Sequence, residues 1–406
     1  MAQPTLENSI FTAMENCGIN IDGKFIASQG AMQSTAPSKQ STAASKQSTA
    51  PSKQSTAREL YAELLRIVAA FTVVFQHTVT SVWYDVPVDT GDFFALNFLN
   101  SLSRFGVGVF IMISGAFMLS PQYPHTPQKI LRHNLVRILI LLIAWVCVYG
   151  VVDAIREGVR NGLGIGDSVV NILAAPLDLF VAPPTHLWFL YAIAGLYVIT
   201  PALRVFTEHA SKHMVLYVIA IFFAFGLVIP TANHLLAKLA HFHMYQNIGI
   251  RGATTFAGFY LTGFYISQYG LGRIARRVLY GAALISWFIA FFYSTYFSLV
   301  KDAPNEYFFG NFRPMTFLIA AAVFCFFRTR YGERKTTDLR ILDISKCMLG
   351  VYLLHPMFIK IFYGLKLSLL EPHPLITAPL MAVVFFGLSL GAVFLFRLIP
   401  GVKKIL

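Results

Sequence analysis

The sequence predicts an all-α fold, a polytopic bundle of about ten transmembrane helices. Three observations predict it. The composition is 56% hydrophobic and only 13% charged, against about 25% charged residues in soluble domains. Apolar runs of spanning length recur along most of the chain. Basic residues collect in alternate loops between those runs. The mean hydropathy of +0.61 agrees. This composition excludes a soluble enzyme, a collagen-like fibre and a disulfide-rich secreted domain. The 37 Phe and 18 Tyr exclude a chain that is disordered throughout.

Residues 1–57 stand apart from the rest. From Gln33 the chain reads QSTAPSK, QSTAASK, QSTAPSK, QSTA. The period is seven, but no position carries a large apolar residue, so a coiled coil is excluded. Such a segment buries too little apolar surface to offset the entropy of ordering, and a disordered low-complexity tail is expected. No basic region precedes an apolar core at the start, so the first span is expected to act as its own insertion signal. Residues 58–406 are expected to form the membrane domain.

The candidate spans run at 61–83, 102–120, 135–153, 187–203, 214–231, 252–268, 278–299, 314–328, 347–366 and 376–397. The fourth, sixth and eighth are the weakest by length. All are continuous apolar runs, not alternating ones, which excludes a membrane barrel. Helices satisfy every backbone donor and acceptor within lipid. With the amino terminus inside, the inner connections carry seventeen basic residues and the outer ones eight. Most acids fall outside. Both termini are therefore expected in the cytoplasm. The net charge of +13 then reads as a topology signal, not as a nucleic-acid footprint. Cys17, Cys147, Cys325 and Cys347 form no CxxC or metal spacing.

Ionisable groups inside a span are costly and mark functional positions. The first span holds Arg66 and His77. Eleven residues at ~100° each bring the two within ~20° of one face, ~16 Å apart along the axis. Arg104 is read as opening the second span. Ser114 and Gly115 lie one deeper step along it, where small residues permit close packing or line a channel. His186 and Trp188 open the fourth span, where an aromatic ring suits either the interface or a sugar. Arg313 opens the eighth. Tyr352 and His355 are i and i+3 neighbours on the ninth, and Pro356 is expected to kink the helix beside them. His234, His241 and His243 lie in one connection without an acidic or thiol partner, so no metal is expected.

Four segments, in order, carry a family resemblance. They are the Arg66–His77 pair, SLSRFGVGVFIMISGAFML at 101–119, HLWFLYAIAGLYVITPALR at 186–204 and YLLHP at 352–356. Together they resemble the acyltransferase 3 family of integral membrane acyltransferases, and within it the bacterial enzymes that O-acetylate surface polysaccharides, of the enterobacterial common antigen type. The resemblance runs from about Leu60 to Arg397 and omits the repeat tail. It implies a multi-pass protein of the bacterial inner membrane that moves an acetyl group from cytoplasmic acetyl-CoA, as co-substrate, to a hydroxyl of a cell-surface or lipid-linked glycan. In that chemistry His77 is the expected base or acyl carrier. Arg66 is expected to face the coenzyme, and Arg104 the oxyanion or the acceptor. Ser114, His186, Trp188, Arg313, Tyr352 and His355 are the expected substrate-binding residues. Membrane lipids are the further expected partner, and nucleic acid is not one. A transporter or flippase of a lipid-linked saccharide is the alternative reading of the same helices.

Overall fold

The computed structural model describes residues 57–123, 125–161, 185–239, 253–364 and 369–399. The chain divides into two units, Met1–Gln54 and Ser55–Leu406, and all described residues belong to the second. The expected repeat tail lies outside the described residues, as do His241 and His243.

A two-residue strand β1 (Arg58–Glu59) leads into α1 (Leu60–Trp83), α2 (Gly91–Ser103) and α3 (Gly106–Met118). A π-helical turn, Ile130–Leu135, opens α4 (Val136–Asn161). Then come α5 (Trp188–His209), α6 (Lys212–Phe223), α7 (Ile229–Leu239), α8 (Ala253–Tyr269), α9 (Arg273–Lys301) and α10 (Pro314–Tyr331). Strand β2 (Lys335–Thr336), α11 (Leu339–Lys346), α12 (Met348–Gly364) and α13 (Pro374–Phe396) complete the order. Local chemistry sets several helix starts. Thr90, Ser211 and Asp338 accept backbone N–H bonds at the starts of α2, α6 and α11. Pro314 and Pro374 occupy first-turn positions, where a missing N–H costs nothing.

Among the described residues, eight helical segments are long and apolar enough to cross a membrane, and the bent pair α11–α12 makes a ninth. Each of the ten expected segments falls on helix. The sixth is α8, with 17 residues as described. Large apolar side chains remain exposed along the outer faces of α9 and α13, among them Ile285, Phe292, Leu380 and Leu395. Such a surface is at home only against lipid.

The core is built on α1, α3, α8 and α10. Helices α3 and α8 cross most closely, and the reason is two glycines. A Cβ on Gly115 would overlap the Tyr260 backbone, and one on Gly263 would overlap the Met112 backbone. The crossing therefore requires glycine on both sides. Elsewhere buried polar side chains bond across helices. The Trp83 indole donates to Asn97 at 3.1 Å, and the Asn97 amide reaches the Thr295 hydroxyl at 2.9 Å. These bonds tie α1, α2 and α9 together.

Two ends of the bundle can be named from α1. At its proximal end β1 pairs antiparallel with β2, Arg58 opposite Thr336. Arg397, just past α13, donates to the Cys347 sulfur at the α11–α12 junction, 3.0 Å away. At the distal end α1 gives way to Tyr84 and the connection to α2.

One sequence expectation needs correction. Arg104 does not open a span. It sits at the break between α2 and α3, inside one 28-residue apolar stretch, Gly91–Met118, because the apolar run extends back through Phe93, Leu96 and Leu99. Helix α12 contains Pro356 and continues to Gly364. A 55° bend lies earlier, between Lys346 and Met348.

Candidate active site

Helix α1 delivers its two ionisable residues to different places. His77 faces a distal cavity of about 930 Å³, shared with Gln76, Arg104, Trp188, Glu306 and Arg313. Arg66 faces a proximal cavity of about 370 Å³, shared with Ser114, Arg137, Lys346 and Tyr352. A further proximal cavity of about 370 Å³ holds Arg58, Glu63, Tyr123 and Lys335 and shares Arg66. The helical period explains the arrangement: one face of one helix runs from the proximal cavities to the distal one.

A thin layer of rings separates the two sides. The His77 and His355 ring centroids are 5.1 Å apart, and His355 and Tyr352 are 6.0 Å apart. His186 approaches His355 at 6.4 Å, and Tyr149 approaches His186 at 4.5 Å. Adjacent residues of α5 look opposite ways, Trp188 into the distal cavity and Phe189 into the proximal one. The layer is pinned by hydrogen bonds. The Tyr352 hydroxyl donates to the His186 carbonyl, and the Tyr149 hydroxyl donates to the Leu353 carbonyl at 2.7 Å.

His355 is fully buried. Its Nδ1 lies 3.2 Å from the Val351 carbonyl, which assigns the proton to Nδ1. Its Nε2 is then an acceptor, and it is buried without a partner among the described residues. The Nε2 of His186 is likewise buried without one. His186 itself is buried within the bundle. A short 3-10 turn, Thr185–Leu187, tucks it beneath the bundle surface at 6% exposure.

Charge is distributed unevenly. In the proximal region Arg66 donates to Glu63 at 2.6 Å, an i,i+3 pair on α1, and Arg58 approaches the same carboxylate at 3.8 Å. Glu63 is buried. In the distal cavity the Arg104 guanidinium is buried, with Nε donating to Asn100 at 2.8 Å. Its two terminal nitrogens lie 3.4 Å from one Glu306 oxygen. The Tyr84 hydroxyl donates to that same oxygen at 2.8 Å. Burial, and then the hydrogen bond to Glu306, push the Tyr84 hydroxyl up to about 12. Arg313 lies flat over the Tyr307 ring, 3.5 Å from its centroid, and donates to the Tyr307 carbonyl at 2.9 Å. His234 stacks on the same tyrosine ring at 3.4 Å.

A basic nitrogen, a buried guanidinium and two cavities thus lie on either side of one ring layer. The arrangement suits transfer of a small group between two bound molecules. A family model described as an acyltransferase domain matches residues 59–398.

The chain belongs to the acyltransferase 3 family.

The acyltransferase 3 match spans every helix described above and excludes the repeat region. The protein is accordingly a multi-pass membrane acyltransferase. No curated protein and no solved structure matches the chain. Among the described residues, no group of three or more His, Cys, Asp or Glu side chains is placed to hold a metal ion.

Each residue expected to be catalytic or substrate-binding lies in one of the two cavities or in the ring layer between them. His77, Arg104, Trp188 and Arg313 are distal; Arg66, Ser114 and Tyr352 are proximal; His186 and His355 are between. Sequence reading missed Glu63, Gln76, Tyr84, Tyr149, Glu306 and Tyr307. Two of these carried a signal. Glu63 precedes Arg66 by three on a helix, and Gln76 is polar within an apolar span. The rest sit in connections or among ordinary aromatics, where no local pattern marks them.

Proposed function

We propose that this acyltransferase moves an acetyl group from acetyl-CoA, bound at the proximal side, to a hydroxyl of a glycan bound in the distal cavity. The observation that carries the reading is the placement of Arg66 and His77. One helix face puts a guanidinium at the proximal cavities and an imidazole in the distal one, ~16 Å apart, with a single layer of rings between. That separation matches a donor that reaches in from one side and an acceptor that waits on the other.

In this scheme the basic proximal residues hold the coenzyme's phosphates, with Arg66 nearest the reaction. The acceptor hydroxyl gives its proton to His77 as its oxygen attacks the thioester carbonyl carbon. The carbon–sulfur bond breaks and coenzyme A leaves as the thiol, taking up one proton. In the second version of the scheme His77 first accepts the acetyl group and then passes it on. Arg104 supplies donors to the oxyanion or holds the acceptor. Trp188 offers an aromatic face to the sugar. The positive-inside pattern supports a proximal end that faces the cytoplasm, with both termini, in a bacterial inner membrane.

The test is acetyl transfer from labelled acetyl-CoA by the purified protein in detergent, with saccharide acceptors. Label entering an acceptor as an alkali-labile ester supports the scheme. A protein that moves lipid-linked saccharide across vesicles and never incorporates label returns the transporter reading instead.

A further inference from the structure

Arg104 is buried at 6% exposure, yet its charge partner is not built like a permanent one. Glu306 is half-exposed and stands on the connection between α9 and α10. Both terminal nitrogens of Arg104 share one carboxylate oxygen at 3.4 Å. A seated carboxylate on arginine makes two parallel bonds near 2.7–2.9 Å. A buried guanidinium needs an anion, because leaving it unpaired is strongly unfavourable. The structure supplies one loosely, from the connection between α9 and α10 that lines the same cavity.

The rest of the cavity points the same way. Among the described residues its lining holds three basic residues, Arg104, Lys301 and Arg313, and one acid, Glu306. Its floor also carries His77. Arg104 is held from behind by Asn100 at 2.8 Å, and the Phe309 ring flanks it at 5.7 Å. Those contacts fix the guanidinium and leave its terminal nitrogens directed at the position where Glu306 enters. A neutral acceptor gives no reason for this excess of cations around the proton-accepting residue.

We propose that the distal cavity takes an acceptor bearing an acidic group, a carboxylate or a phosphate, which seats on Arg104 in the position that Glu306 now holds. Glu306 is the resting occupant of an anion site. It keeps Arg104 paired while the cavity is empty of acceptor, and it yields when a better-placed anion arrives. The acidic group on Arg104 then sets which acceptor hydroxyl lies beside His77. The catalytic use of this site rests on the acyl-transfer reading; the binding itself does not.

The test uses full-length protein in detergent and three probes at matched ionic strength: glucose, glucuronate and glucose 6-phosphate. Thermal shift reads binding. Glucuronate or glucose 6-phosphate is expected to raise the melting temperature, and glucose is not. The tighter of the two acids identifies the group as carboxylate or phosphate. Glu306→Gln removes the competing charge and leaves Arg104 without its anion, so the variant's unliganded melting temperature is expected to fall and each probe is read against that lower baseline. The substitution is expected to tighten the acidic sugar about tenfold and to leave glucose unchanged. Arg104→Gln is expected to abolish the difference between acidic and neutral sugars. Equal binding of all three probes, no binding of either acid by folded protein, or unchanged or weaker acid binding in Glu306→Gln overturns the inference. Labelled acetyl-CoA run on the same preparation separates the two readings. Acid-selective binding without label transfer keeps the anion site and removes the acyl-transfer reading. Label transfer to glucose and glucuronate alike, with Glu306→Gln changing kcat equally for both, keeps the enzyme and assigns Arg104 to the oxyanion alone.

Discussion

Replacing His77 with alanine separates a chemical role from a structural one. The side chain is half-buried and opens onto a cavity of about 930 Å³. Truncation therefore enlarges an existing space and creates no closed void. The stability loss should be about 1 kcal/mol or less. The chemical loss should be far larger. A positioned general base contributes about 10²- to 10⁴-fold, which is about 3–5 kcal/mol of barrier. Arg66 lies ~16 Å away along the helix, so KM for acetyl-CoA should hold while kcat falls. The assay is the initial rate with labelled acetyl-CoA, beside a thermal melt of the same detergent preparation. Added imidazole should restore part of the rate, because the vacated volume opens to the cavity. Acid quenching without acceptor distinguishes the two chemical versions: stable label on wild-type protein, absent from the variant, marks an acyl-His77. A variant that melts normally and turns over at the wild-type rate would refute the assignment. One that melts many degrees lower would show that His77 holds the ring layer together.

Arg66→Ala is expected to raise KM for acetyl-CoA about tenfold and leave acceptor KM unchanged, as steady-state kinetics with each substrate varied will show. It also leaves buried Glu63 with Arg58 as its nearest cation, at 3.8 Å, so the melting temperature should fall and Glu63→Gln on the same background should recover part of it. Gly263→Ala drives a methyl group into the Met112 backbone and should cost about 1–3 kcal/mol, read as early loss of the monodisperse peak on heating; Gly281→Ala, where the added carbon meets nothing within 4 Å, is the matched control. The Tyr84 hydroxyl ionises at about 12 instead of the ordinary 10. Because the folded state holds that proton more tightly, the stability carried by the Tyr84–Glu306 bond is complete below pH 10 and is lost as pH rises through 12. Ultraviolet difference titration of wild type against Tyr84→Phe should show this tyrosinate late; ionisation at pH 10 would refute the Tyr84–Glu306 hydrogen bond.

The sequence by itself determined the fold class. It also placed Arg66 and His77 on one face of the first helix, because both conclusions depend on periods of a few residues and on the cost of polar groups in lipid. Short motifs likewise marked Arg104, His186, Trp188, Tyr352 and His355, and their resemblance to one family put them in a single frame. What the sequence misjudged was where a span begins. Arg104 read as a span end because the apolar run before it is diluted by Asn97, Asn100 and Ser101; Asn97 and Ser101 bond to α9, and Asn100 accepts from Arg104 itself. Only the tertiary structure decided which residues meet. Arg104 and Glu306 are 202 positions apart, and Tyr352 and His186 are 166 apart. No local pattern encodes such pairs, because they arise from the order in which ten apolar segments pack, and that order is fixed by fits such as Gly115 against Tyr260. The helical period gave the face; packing gave the two cavities, the ring layer between them and the carboxylate that now sits on the buried arginine.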